Sequence, residues 1–345
     1  MPTIFDLVQS TETKAYWEAM TKDRAPFLGE TLFPNNKKLG LDLKWLKGSS
    51  GLPVVLKPSA FDAAATLRPR IGVEKLSAEM PFFKEAMLID EELRQELNKV
   101  LETGNQAYID AVMTRVFNDQ VTLIEAAAVR REQMRMMLLT TGAISITANG
   151  QNFDFDYGLP ANHKPTADTS WSSPDAPILD DIHNWQVMIE DDTGVLPTRA
   201  ICSRKTWGYM LKNTEIRNAI RGNDSGAPVT DSELNEYLRD NYDLSVVVYA
   251  KKYKNDQGVA TAYVADDIFV LFPEGDLGNT WFGTTPEESD LMSANVANVS
   301  IVDMGVAVTT VQKTDPVNVE TKATMITLPD FPTADQVCIA DVIAG

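Results

Sequence analysis

Apolar and polar positions change period several times along the chain, and each change marks a boundary. Up to about residue 40 no period is sustained, and Pro26, Gly29, Pro34 and Asn35-Asn36 punctuate the sequence. This predicts an extended arm with at most short helical pieces, without a core of its own and ordered by lying on something else. Leu39, Leu41, Leu43 and Trp45 then alternate with Gly40, Asp42 and Lys44, which is strand period, and Gly48-Ser49-Ser50-Gly51 turns the chain into an apolar run at 52–56. The excursion continues to Arg70 and returns through Ile71 to Met87, burying little of its own apolar surface. Loops beyond about 12 to 15 residues are uncommon unless functional, and a lone two-stranded hairpin is marginal in water. A projecting β element that rests on a neighbour is the expectation.

From Asp90 the period becomes helical. Leu93, Leu97, Val100 and Leu101 mark one stretch, Gly104 interrupts it, and Ile109, Val112, Val116, Leu123, Ala127, Met134, Met137 and Leu138 continue to about Thr141. Counted from Gln106 at 1.5 Å per residue, that helix would be about 50 Å long. Gly142 closes it, and residues 143–157 read as a hairpin turning at Asn149-Gly150. A compact α/β section follows a polar loop: a helix capped by Asp175 and ending at Gly194, a strand at 199–203, and helical turns at 207–211 and 216–220. Thr230 with Glu233 forms a capping box ahead of Leu234 and Leu238. Buried strands at 244–250 and 268–272 flank a hairpin turning at 255–258, and a Gly- and Thr-rich loop covers 278–286. Long strands return at 298–312 and 317–328, joined at Asp315-Pro316. The middle section reads as an insertion, with 143–157 and 298–328 sharing one sheet. The fold class is α+β.

Composition narrows the function. The chain has 345 residues and a net charge of −18, with 44% hydrophobic residues, 19 Gly and 18 Pro in no strict period, which excludes fibrous and disordered classes. Its longest apolar runs are far short of the roughly 20 residues that cross a bilayer, and Asp6 interrupts any signal-peptide core, so neither membrane insertion nor secretion is expected. Cys202 and Cys338 sit in apolar settings and read as buried thiols in a reducing compartment. The charge is polarised: residues 37–75 hold eight basic against three acidic residues, and residues 255–345 hold fourteen acidic against two basic. Opposite potentials set register and partner choice between surfaces. Lys57, Arg68, Arg70 and Lys75 on the basic side, and Glu287 and Glu288 on the acidic side, are therefore the candidate contacts between copies.

Chemistry is scarce. Neither GxxxxGK[ST] nor GxGxxG occurs, so no nucleotide cofactor is indicated. His163 and His183 stand twenty residues apart with no metal-ligand spacing, and no GxSxG elbow exists. With 49 acidic residues some carboxylate pair is always available, so a hydrolase reading has no specific support. The acidic balance, without a basic stripe carrying interleaved aromatics, argues against specific DNA or RNA recognition.

The order of parts, together with IDEELRQEL (89–97), PTRAICSRKTWGYMLKNTEIRNAI (197–220), PEGDLGNTWFGTTPEESD (273–290) and DPVNVETKATMITLPDFPTADQV (315–337), resembles the lambda-like major capsid proteins of tailed bacteriophages. The resemblance implies an N-terminal arm (1–38), an extended loop (39–87), a peripheral domain with a spine helix (88–174), an axial domain (175–290) and closing peripheral strands (291–345). It also implies copies assembling as hexamers and pentamers into an icosahedral shell around double-stranded DNA, without sequence specificity. Scaffolding, portal and decoration proteins would be partners, and the place would be the virion after assembly in the host cytoplasm. The same fold would also suit a bacterial nanocompartment shell. No catalysis and no cofactor are expected.

Overall fold

The computed structural model describes residues 7–47, 74–89, 91–148, 150–222, 227–292, 297–315 and 317–343. Its first third runs α1 (Ser10–Thr21), α2 (Leu28–Leu32), β1 (Asn35–Lys37), β2 (Asp42–Lys47), β3 (Glu74–Glu79), β4 (Phe82–Leu88), α3 (Glu91–Thr103) and α4 (Gln106–Thr141). Next come β5 (Ala143–Ala148), β6 (Gln151–Asp156), α5 (Ile178–Thr193), β7 (Arg199–Cys202), α6 (Arg204–Lys212), α7 (Thr214–Arg221), α8 (Asp231–Tyr242) and β8 (Ser245–Val248). The last part holds β9 (Lys252–Lys254), β10 (Ala260–Ala262), β11 (Ile268–Phe272), β12 (Thr280–Phe282), β13 (Asn298–Val302), β14 (Val306–Thr314), β15 (Val317–Pro329) and β16 (Cys338–Asp341). The chain divides into two compact units, one made of 1–43, 78–134 and 279–330, the other of 44–77, 135–278 and 331–345.

In the first unit β15 is the organising strand of a six-stranded sheet ordered β1-β12-β15-β14-β13. Along one edge β15 pairs with β14; along the other it pairs first with β4 (Glu320 to Ile326) and then with β12 (Thr327 to Pro329). Its length of 13 residues is what lets it serve three partners. The expected single strand at 298–312 is two strands. Asp303 and Met304 take positive φ (47° and 68°), the conformation a tight β-hairpin requires, and Arg131 holds Asp303 at 2.8 Å. Gly305 follows because a Cβ there would lie 2.4 Å from the Phe282 ring. The Gly- and Thr-rich loop likewise contains β12, which also pairs in parallel with β1.

The apolar face of α4 divides its partners. Val112, Met113 and Val116 pack with Leu93 and Leu97 of α3 and with Val8, Ile89 and Val319, while Val121, Leu123, Ile124 and Ala127 pack with Trp17, Phe282, Val306, Val308 and Met325. Trp17 belongs to the arm, so from Leu7 onward what the arm lies on is the first unit of its own chain. Thr13 donates to buried Gln120 Oε1 (2.7 Å), Tyr16 stacks on Phe117 (5.6 Å), and the Gly29 N–H donates to Glu132 (3.1 Å). The sequence shows no helical apolar period here because the face that α1 buries, Ser10, Thr13 and Trp17, is mostly polar.

The second unit is built on a mixed four-stranded sheet ordered β16-β11-β7-β8, with β7 and β8 parallel and β11 antiparallel to both its neighbours. Ile178, Ile182, Trp185 and Ile189 of α5 pack on it, with Trp207, Met210, Ile216, Leu234 and Leu238 from the later helices. Each later helix starts on a side-chain cap: Ser203 accepts from Thr206 N–H, Asn213 from Ile216 N–H, and Thr230 with Glu233 makes the expected capping box. Asp175 does not cap α5, which starts after Pro177 without a side-chain cap. Nor do 143–157 and 298–328 share a sheet, since β5 and β6 pair with each other as a two-stranded sheet. The turn at Asn149 lies outside the described residues.

Candidate assembly surfaces

The histidines and cysteines that the sequence analysis weighed for chemistry and set aside are tied into the second unit. His163 is buried, with Nε2 3.0 Å from Asp192 Oδ2, and Asn162 donates to the same oxygen at 2.7 Å. Those bonds, from His163 first and Asn162 second, hold the Asp192 carboxyl below its usual range, and they pin the turn at Ala161–His163 to the end of α5. His183 lies on α5, edge-on to Tyr242 at 6.4 Å. Burial pushes both Cys202 and Cys338 up to about 12, so neither thiol is a nucleophile at neutral pH. Among the described residues no group of three or more His, Cys, Asp or Glu is arranged to hold a metal, and no helix is long and apolar enough to cross a membrane.

The base of the extended loop is a ladder of β2 against β3, two strands that pair with each other alone among the described residues. Alternation at Leu39 to Trp45 identified β2, which pairs with the returning strand β3, while the turn at 48–51 and the run at 52–56 lie outside the described residues. Lys57, Arg68 and Arg70 lie outside the described residues, and Lys75 is on β3 with its side chain outside them.

The two glutamates are held within the first unit. Glu287 opens a π-helical turn (Glu287–Met292), is 5% exposed, sits 2.6 Å from Lys322 Nζ and accepts from Thr324 Oγ1 at 3.0 Å. Burial opposes its charge, but Lys322, its own backbone N–H and Thr324 together outweigh burial and keep the carboxyl below its ordinary value. Within the subunit, the Glu287 carboxylate ties the turn to Lys322 and Thr324 of β15. Glu288 pairs with Lys37 on β1. Since β1 and β15 flank β12, these consecutive residues tie down both of that strand's neighbours, Glu287 reaching the part of β15 that pairs with β4. The sequence held both charges, yet the register that brings Lys322 and Lys37 to them is not a local property.

Solved structures share this fold. A prophage protein of E. coli CFT073 assigned as a capsid protein matches with a TM-score of 0.62 at 13% identity, covering 98% of this chain and 99% of its own. A phage-related protein from Bordetella bronchiseptica RB50 matches at 0.57 and 14%, covering 97% of each chain. The capsid of Cyanophage A-1(L) matches at 0.54 and 13%, covering 93% of each. No curated protein matches the chain. The fold is that of phage major capsid proteins. The chain belongs to the family described as phage major capsid protein E, whose match runs over residues 12–342, and it is a capsid shell protein.

Proposed function

We propose that copies of this chain assemble as hexamers and pentamers that close an icosahedral phage head around double-stranded DNA. The observation that carries the reading is the family match over nearly the whole length, arm and loop included. The β2–β3 ladder supports it physically: a two-stranded ribbon is marginal alone and is stabilised by lying across an adjacent subunit. Heterologous contacts of that kind close into rings, and obligate interfaces bury more than about 2,000 Å². We assign the unit holding the six-stranded sheet to the peripheral domain and the unit holding the four-stranded sheet to the axial one. The net charge of −18 suits a container, because DNA driven in by a motor needs no attraction to the wall. Scaffolding, portal and decoration proteins would be its partners, and assembly in the host cytoplasm would yield the virion.

The test is electron microscopy and sedimentation of the purified protein, with and without a co-expressed scaffold. Closed particles or hexamer-sized capsomers are expected. A monomer that stays inert under every assembly condition overturns the proposal.

A further inference from the structure

The second unit contains a charge inversion. In a chain of net charge −18, the hairpin β9–β10 presents Lys252 and Lys254, both exposed and neither ion-paired among the described residues. The register places Lys252 opposite Ala262 and Lys254 opposite Ala260, so one face of the ribbon consists of two lysines above two alanines. The other face carries Tyr253 and Thr261, and Tyr253 packs on Tyr263 with ring centroids 4.8 Å apart. The turn is fixed in advance: Asn255 Oδ1 accepts from the N–H groups of Gln257 (3.0 Å) and Val259 (2.9 Å). A flat cationic face on a preformed turn loses little side-chain or loop freedom when something anionic covers it.

The same unit carries the complementary surface. Asp168, Asp180 and Glu215 are exposed beside half-buried Asp181, which accepts from the Trp171 indole at 2.8 Å. Burial first, then Asp168 and Asp180, push the Asp181 carboxyl up; burial and then Asp180 do the same to Glu215. The start of α7 is tied beside that of α5, Thr214 N–H donating to the Pro174 carbonyl at 2.7 Å and Asn213 Nδ2 to the Ala176 carbonyl at 2.8 Å, so these carboxylates stand together and a cation brought among them relieves their repulsion.

We infer that the Lys252/Lys254 face of one copy docks on the Asp168–Asp180–Glu215 surface of a second copy, head to tail. Two different patches on one chain make a heterologous contact, the type that generates rings. The inference rests on the shell reading proposed above, and adds to it the surface through which neighbours choose register. Packaged nucleic acid is the competing anion, and the experiment separates the two.

The experiment compares the full-length wild type with Lys252→Glu/Lys254→Glu, and with that variant carrying Asp180→Lys/Glu215→Lys as well. Sedimentation velocity across a salt series reads both particles and smaller oligomers. The reversed lysines should weaken self-association about tenfold or more at low salt, less at high salt, and the four-fold variant should restore it. Circular dichroism of each variant should match the wild type, since all four side chains are exposed. Self-association unchanged by the lysine reversal, or a loss that the acidic reversal does not repair, overturns the inference. So do normal shells that differ only in retained DNA, which would assign the lysines to phosphate. A wild type that never forms particles refutes the shell reading instead, and the inference is then judged on oligomer formation in the same runs.

Discussion

At the residue scale the first unit is held by charges and gaps that have no slack. Glu287 is almost wholly enclosed against Lys322, and breaking a buried pair leaves one charge without its partner. Glu287→Gln should cost about 3 kcal/mol in urea unfolding of the dissociated subunit at neutral pH. The sign of its pH dependence follows from the lowered carboxyl: the contribution is present above the ordinary glutamate value and is lost as pH falls through the depressed one. The gap between wild type and Glu287→Gln should accordingly close in acid. Gly305→Ala would drive a methyl into the Phe282 ring, with a contact of 2.4 Å that backbone movement must relieve, and should lower stability by about 3 kcal/mol. Neither role was legible in the sequence. The acidic character of 287 and 288 was, but the partners come from strands 35 and 251 residues away, and pairing at that distance is decided by the sheet.

At the element scale, local rules worked where an element carries its own instructions. The Thr230–Glu233 box, the long helix opening near Gln106, and the strand Ile268–Phe272 were all legible because caps, period and apolar runs lie within a few residues of each other. The strands β12 and β1 are three residues each, β12 held by β15 and β1 by β12, so no window of sequence could reveal them. The arm was misjudged for a related reason: α1 buries Ser10, Thr13 and Trp17, a narrow and mostly polar face that hydrogen-bonds into the unit instead of forming an apolar stripe. Removing residues 1–25 should therefore destabilise the subunit itself, because Trp17 leaves a cavity beside Ile124 and Met325. Trp17→Ala alone should cost about 3 kcal/mol by denaturant titration, with far-ultraviolet dichroism nearly unchanged below the transition. At α8, Thr230→Ala removes the oxygen that accepts from Glu233 N–H, and about 1 kcal/mol is the expected loss in the same measurement.

For the whole molecule, the division of labour between folding and assembly is the point at which the charge polarity matters. Lys37 is already spent on Glu288, and Glu287 is spent on Lys322, so the attraction first read as acting between copies is partly used up inside one. In the proposed shell, what the basic segment offers a neighbour includes Arg68 and Arg70. With these arginines acting only between copies, substituting Arg68 and Arg70 by Glu should leave the urea stability of the dissociated subunit within about 0.5 kcal/mol of wild type. Particle yield in sedimentation should fall sharply, since like charge set against an acidic neighbour is costly. Particles formed at wild-type yield by this variant would show that the loop's arginines do not select the neighbour. A subunit that unfolds instead would place them in the folding of the chain, and not in its assembly.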